Sequence, residues 1–422
     1  MTASETPTTI GLARGSRQMP IFSRSLLRLP NFRYLGIATL LNSTGMMGET
    51  VVLGWLTLEL TNSPFLVGVA MGARSLPLFF VGIPGGALAD RVPRRRLLIA
   101  TAAGQALTAT VLGLVTLFHL VNLSLILLLT LAAGTIRGIE QAARQGYAHD
   151  VAGAGELMNG LAILGVAMRA GWLLGSLGAG WVIAHLGSGA AYLAVGAGYL
   201  AGAAALFPAS APVDAAARAD GSLWDHIVDF VTAVTQERTL LALMVLTSGA
   251  EILGFSHQAL LPSLARDVLR VGPEGLGALN AARSIGGILG LLAVAMRRPV
   301  EGGGALFLTV LAFFGGSIVV LGVAPHFVGL TGVVVVLILA NSAGALTDLL
   351  AQSLMQLGVP ARLRGRAGGA WVVAIGLAPV GQLQIGALAS LFGVTVALGA
   401  SGLGLVALAG AAALLFSQLR RL

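Results

Sequence analysis

Cysteine and lysine are both absent from this chain of 422 residues. Without cysteine there is no disulfide framework, no thiolate nucleophile and no Cys-type zinc site. Without lysine all 25 basic residues are arginine, which we read as base composition rather than function. Charge of either sign is scarce. Only 10% of the residues are charged, against roughly 25% in a soluble domain. With 56% hydrophobic residues and a mean hydropathy of +0.89, too little polar surface is left to coat a water-soluble particle. Metal-ligand spacing, a nucleotide loop and a clustered nucleophile and base are missing too, so neither an enzyme nor a cofactor is expected. The first 30 residues show no apolar core and cleavage site of a signal peptide.

What is present is a series of apolar stretches of about 20 residues or more, the length that crosses a hydrocarbon core of about 30 Å. Spans are expected at about 34–59, 64–88, 97–118, 123–146, 155–184, 188–208, 240–265, 274–297, 303–323, 327–352, 366–389 and 393–416. The net charge of +8 does not point to nucleic acid, because of where the arginines fall. With the N-terminus inside, the inside segments hold 19 arginines and the outside loops hold Arg266 and Arg270. That asymmetry predicts both termini in the cytoplasm of a bacterial inner membrane. The expected divisions are a cytoplasmic segment 1–33, a six-helix half 34–208, a linker 209–239, a second six-helix half 240–416 and a tail 417–422. Within the linker, Trp224, Ile227, Val231 and Val234 form one apolar stripe, as in a helix lying on the membrane surface. The stretch 22–33, with leucines among Arg24, Arg28 and Arg33, reads as juxtamembrane.

An internal repeat supports the two halves. SPFLVGVAMGARS (63–75) aligns with GPEGLGALNAARS (272–284) at an offset of 209, matching Pro64 to Pro273, Gly68 to Gly277 and Arg74 to Arg283. Parallel repeats of this size place a substrate site between the halves near the midplane. Many of the 59 glycines have small-xxx-small spacing, including Gly68/Gly72, Gly82/Gly86, Gly171/Gly175 and Gly286/Gly290. Such faces serve close helix packing in lipid.

Between the second and third spans stands GGALADRVPRRR (85–96), with Gly86, Asp90, Arg91, Arg94 and Arg95. This resembles the signature loop of the major facilitator superfamily, G-x-x-x-D-R-x-G-R-R. Pro93 replaces the second glycine, so the turn must rely on proline's fixed φ. The resemblance implies twelve helices in two pseudo-symmetric halves, with Asp90 as a cytoplasmic latch against the start of the eleventh helix, after Arg366. NFRYLGIATLLNSTG, LPSLARDVLRVGPEGLG and VPARLRGRAGG are similar to the enterobactin-exporter-like, drug-efflux branch. GWLLGSLGAG (171–180) is similar to the Gly-Pro-x-x-Gly-Gly element typical of exporters, with Ser176 where proline is usual.

Ionisable groups inside spans are costly, about 2.5–3.5 kcal/mol or more each, and are functional candidates by default. Arg137, Glu140 and Arg144 share one helix face and are expected to neutralise one another. Glu49 and Glu251 lie deep with apolar flanks, where desolvation disfavours the ionised form, so each can bind and release a proton. Asp348 lies nearer the cytoplasmic end. Glu49, Arg74, Glu251, Arg283 and Asp348 are the proton-coupling candidates; depth and a short connecting loop predict that Glu49 meets Arg74. Gln105, Asn159, Arg169, Asn341, Gln352, Gln382 and Gln384 are candidates to line a polar cavity, or to bond across helices. His257 reads as a satisfied polar residue.

These observations together predict a monomeric secondary transporter in the lipid bilayer that exports an amphipathic small molecule, drug-like or siderophore-like. The proton gradient is its energy source. The alternatives are import of an organic anion, with Arg74 and Arg283 as counter-ions, and a membrane-embedded enzyme or sensor.

Overall fold

The computed structural model describes residues 26–153, 156–210, 237–295, 303–357 and 364–416. Within them it covers all side chains except those of 79, 82–87, 89–90, 158, 294–295, 357 and 364–368. Every regular element among the described residues is helical. The amphipathic stripe expected at 224–234 lies outside them.

Helix starts and stops follow local chemistry. Pro30 and Pro64 stand at the first turns of α1 (Pro30–Thr61) and α2 (Pro64–Arg91), where a missing N–H costs nothing. Asn62 closes α1 in the left-handed region at φ 50°, and the Ser63 hydroxyl accepts from the Leu66 amide to open α2. Pro93, at φ −51°, makes the turn into α3 (Arg94–Leu117), as its ring requires. Asn122 caps α4 (Leu123–Ala152) by accepting from the Leu125 amide at 2.9 Å.

The helical stretch Leu157–Ala205 is two helices meeting at Gly187, whose φ of 84° and ψ of 168° are open to glycine. We call them α5 and α6. The other set repeats this device at Gly393 (φ 86°, ψ 162°), between α11 (Arg364–Ile375 and Ala378–Phe392) and α12 (Val394–Leu415). The two glycines are 206 residues apart (393 minus 187), close to the repeat offset seen in the sequence.

α7 (Arg238–Val268) is regular only to Gly249. It continues as a π turn at Ala250–Gly254, a 3-10 stretch at Phe255–Leu260 and a second π turn at Leu264–Val268. α8 (Gly272–Ala295), α9 (Gly303–Val323) and α10 (Gly329–Leu357) complete the set.

α1 packs on α5 and α6, and α9 packs on α10 and α12. The sets before and after residues 211–236 meet along α5 against α8 and α2 against α11. Two faces of the bundle can be told apart. The terminal face carries Asn31, the α2–α3 turn and Ser210; the distal face carries Asn62, His185 and Arg266. Among the described residues, nine helical segments are long and apolar enough to cross a membrane. Leu107, Leu128, Phe313 and Leu403 are all exposed on the outside, the arrangement that suits lipid rather than water.

At the distal face the sets touch backbone to backbone. A Cβ on Gly277 would sit 2.7 Å from the Ser176 carbonyl oxygen, and one on Gly386 would sit 2.9 Å from that of Pro64. The Arg266 guanidinium donates to the Leu58 carbonyl and to the Asn62 side-chain oxygen, both at 2.9 Å. Ser75 Oγ donates to Gln382 Oε1 at 3.3 Å, and His185 lies 3.7 Å from Glu274.

Candidate functional site

Glu49 stands on α1 and is 5% exposed. Its carboxylate accepts from Tyr199 Oη of α6 at 2.7 Å and from Arg137 Nη2 of α4 at 3.0 Å. Arg74 of α2 is farther, with Nε 3.9 Å from the carboxylate, while its Nη2 donates to the Met46 carbonyl at 3.0 Å. The expected meeting of Glu49 and Arg74 is therefore one side of a larger hub. Arg137 corrects the reading of its helix face. It leaves Glu140 to pair with Arg144 at 3.1 Å and reaches Glu49 instead. An α4 side chain at this level faces both its own helix and α1, and the carboxylate on α1 would otherwise be half-compensated.

Beside the hub is a cavity of about 30 Å3, room for roughly two waters. It is lined by Thr39, Asn42, Gln105, Arg137, Glu140 and Tyr199, among others. Four buried atoms of its wall, Thr39 Oγ1, Asn42 Oδ1, Gln105 Oε1 and Arg137 Nε, have no protein partner. Gln105 Nε2 donates to the Ala133 carbonyl. Of the cavity candidates in the first set, Gln105 thus lines one.

The second set arranges its charges differently. Glu251 sits in the first π turn of α7 and accepts no hydrogen bond from any described donor. It lies within electrostatic range of Asp348 on α10. Asp348 accepts from Trp371 Nε1 of α11 at 3.1 Å. Arg169 crosses from α5 of the first set: its guanidinium lies against Gly287 of α8, stacks 5.7 Å from the Trp172 ring, and is in electrostatic range of Asp348. Arg283 on α8 donates to Gln258 Oε1 at 2.8 Å and to Asn280 Oδ1 at 3.0 Å. Glu251 and Arg283 are not brought into contact.

The remaining candidates scatter. Asn159 bonds Glu156 at the start of α5, Asn341 bonds its own helix at Leu337, and Gln352 is half-buried. Gln382 is buried in the contact between sets, whereas Gln384, about 200° round the same helix, is exposed. His257 is buried, with Nδ1 on the Gly254 carbonyl and Nε2 unpartnered.

Of the signature loop, Gly86 and Asp90 fall in the last turns of α2 and their side chains lie outside the described residues, as does that of Arg366. Arg91 is exposed. Arg94 donates to Asp150 at 2.6 Å and to the Gly146 carbonyl, near the end of α4. Arg95 donates to the Leu206 and Phe207 carbonyls at the end of α6. Both arginines meet the negative end of a helix.

The family model described as transmembrane secretion effector matches residues 23–422. The chain belongs to the major facilitator superfamily. Members are transporters rather than enzymes. Solved structures similar to this superfamily member include a mutant of the nucleoside transporter NupG (TM-score 0.75, 15% identity, covering 91% of this chain and 99% of that one). Another is a bacterial homolog of the human lysosomal transporter Spinster, inward-facing and unoccupied (0.71, 15%, 96% and 99%). A third is the peptide transporter POT in complex with sulfate (0.74, 15%, 93% and 95%). At such identities the likeness is one of fold. No curated protein matches.

Tyr199, Trp371 and Gln258 were not anticipated from the sequence. Gln258 carried a usable signal: it stands 209 residues after Glu49, the offset that relates Arg283 to Arg74. Trp371 carried none, being a lone tryptophan in an apolar stretch, and Tyr199 carried only its spacing of seven from Tyr192, which names no partner.

Proposed function

We propose that this superfamily member is a proton-coupled exporter of an amphipathic small molecule, of the enterobactin-exporter-like, drug-efflux kind, working by alternating access. The observation that carries the reading is Glu251. It is a carboxyl group without a hydrogen bond from any described donor, set on a π turn within electrostatic range of Asp348, whose own cation Arg169 comes from the first set. π turns inside helices recur at functional sites, and a carboxyl without fixed partners can gain and lose a proton without dismantling an ion pair. Glu49 serves this role less well, since Arg137, Tyr199 and Arg74 hold it as an ion-pair hub.

In this proposal both arms of 157–205 cross the membrane, and α1 and α2 cross as well, which brings the nine apolar segments to twelve crossings. The terminal face is cytoplasmic, because the arginine-rich segments lie there. The contacts described between the sets then close the outer side, so the passage opens inward. Asp90 latches the cytoplasmic side when that side closes.

The test uses proteoliposomes with an imposed pH gradient. Glu251→Gln is expected to abolish gradient-driven accumulation of a transported dye while leaving dye exchange across equal pH. Unchanged gradient-driven accumulation overturns the assignment. Import of an organic anion is favoured by one observation, the arginine Arg283 with amide partners only. The direction of movement in vesicles of known orientation decides between the two.

A further inference from the structure

Arg283 holds a charge that nothing described offsets. The other arginines placed in spans each have a carboxylate: Arg74 and Arg137 share Glu49, and Arg169 has Asp348. Arg283 donates to two neutral amide oxygens, Gln258 Oε1 and Asn280 Oδ1, and among the described residues no carboxylate forms a salt bridge with it. Its Nε is buried without a partner, and so is Nε2 of the neighbouring His257. A lone charge at this depth is expensive and marks a working site.

The repeat says what is missing. Offset by 209 residues, Arg74 corresponds to Arg283 and Glu49 to Gln258. In space the correspondence holds as well, since Arg74 approaches Glu49 and Arg283 bonds Gln258. Where the first set supplies a carboxylate, the second supplies an amide of the same shape. Arg74 and Arg137 also have an Nε–H without a hydrogen bond, but beside a carboxylate; that of Arg283, with Nη protons next to it, has only amide oxygens for neighbours. That edge is the one that grips a carboxylate or other oxyanion with two parallel hydrogen bonds. Position 283 shares a helix face with Gly287, against which Arg169 lies from the opposite set. The edge is thus on the side of α8 turned to the first set, not to lipid.

We propose that Arg283 receives an oxyanion on the transported molecule, making the cargo an amphiphile with an acidic group. This deepens the carrier reading and rests on it. The acid of the cargo takes the place that Glu49 fills in the first set, and Gln258 and Asn280 hold the guanidinium in orientation.

Three probes of one shape test this on the purified full chain: 2-naphthoate, 2-naphthamide and 2-naphthylmethylamine. Thermal unfolding and titration calorimetry are the readouts. Naphthoate is expected to bind and to raise the midpoint, and the other two are expected to do so at least tenfold more weakly. Gln258→Glu, which installs the missing carboxylate, is expected to raise the midpoint without ligand and to weaken naphthoate at least tenfold. Arg283→Gln is expected to lose naphthoate selectivity, and Arg283→Lys to keep part of it. Equal binding of the three probes, no binding of naphthoate, or full naphthoate binding by Gln258→Glu each overturns the proposal. Stabilisation by naphthoate that sodium chloride alone reproduces also overturns it, since it shows a simple anion site. The carrier reading fails separately. A protein that binds naphthoate but moves nothing under a pH gradient keeps the anion subsite and sinks the exporter.

Discussion

Glu49 and Gln258 stand at matching places of the two helix sets, yet one closes an ion-pair hub and the other leaves an arginine among amides. The contrast extends along their helices. α1 runs unbroken for 32 residues, whereas α7 passes through two π turns and a 3-10 stretch within 31 residues. In the first set Glu49 and Glu140 are both in contact with arginine. In the second, Glu251 and Asp348 are of like sign and within electrostatic range of each other, and the cation that acts on Asp348, Arg169, comes from the other set. One set spends its polar residues on holding itself together. The other keeps charges in a state that a proton, a ligand or a shift between sets can change.

The comparison breaks most readily at Arg137. Arg137→Ala leaves Glu49 and Tyr199 buried without their main cation and should cost about 3–5 kcal/mol of stability. Adding Glu49→Gln should return a large part of it. A double variant no more stable than Arg137→Ala would mean that the hub does not act as a unit. By contrast, Glu251→Gln should change the unfolding free energy by less than about 1 kcal/mol. A large loss there would show that Glu251 is structural and that the two sets are alike.

A smaller effect is expected at the distal face. Arg266→Ala removes, besides a local bond to Asp267, two hydrogen bonds from a charged donor to α1 and its cap, worth about 1.5–3 kcal/mol in all once solvent competition is allowed for. Opening of that face should become roughly ten- to a hundredfold more frequent. Because the chain has no cysteine, Ser75→Cys supplies a single reporter between α2 and α11. Its labelling by an impermeant thiol reagent should speed up in the Arg266→Ala background, and an unchanged rate would show that Arg266 ties nothing shut. The smallest effect belongs to Trp371→Phe, which removes one hydrogen bond from Asp348, about 0.5–1.5 kcal/mol. It should shift the pH profile of transport with little change in stability. A profile identical to the parent would detach Asp348 from the coupling machinery.

The helical, membrane-spanning character of the chain was legible from scarcity of charge alone, and the loop 85–96 was enough to indicate the superfamily. The site was legible in part. Glu49, Arg74, Glu251 and Arg283 stand out because charge is rare and costly in such helices. Of their pairings only that of Glu49 with Arg74 followed; helices that are apolar all round show no face, and spacing along α4 joined Arg137 to Glu140 when its hydrogen-bonded carboxylate sits on α1. The polar amides misled for a related reason: Gln382 and Gln384 are equivalent in composition, and only packing sends one into the seam and the other outward. Nor does any local pattern announce the irregular course of α7, where Gly249, Gly254 and Pro262 look no different from glycines and prolines in regular helices.

The glycine contacts at the distal face bear on how readily that face can part. Gly180 against Pro273 and Gly277, and Gly386 against Pro64, bring carbonyl oxygens rather than leucine side chains to the seam. When it separates, these peptide groups meet water, and so does apolar surface, since one hydrophobic cluster runs through both sets. Resistance to opening then comes from directional ties and apolar contact together, and both depend on how strongly the surrounding solution hydrates the surfaces exposed. A solute that is excluded from protein surfaces, such as sucrose, would act on this chain as a closing agent without ever occupying a site.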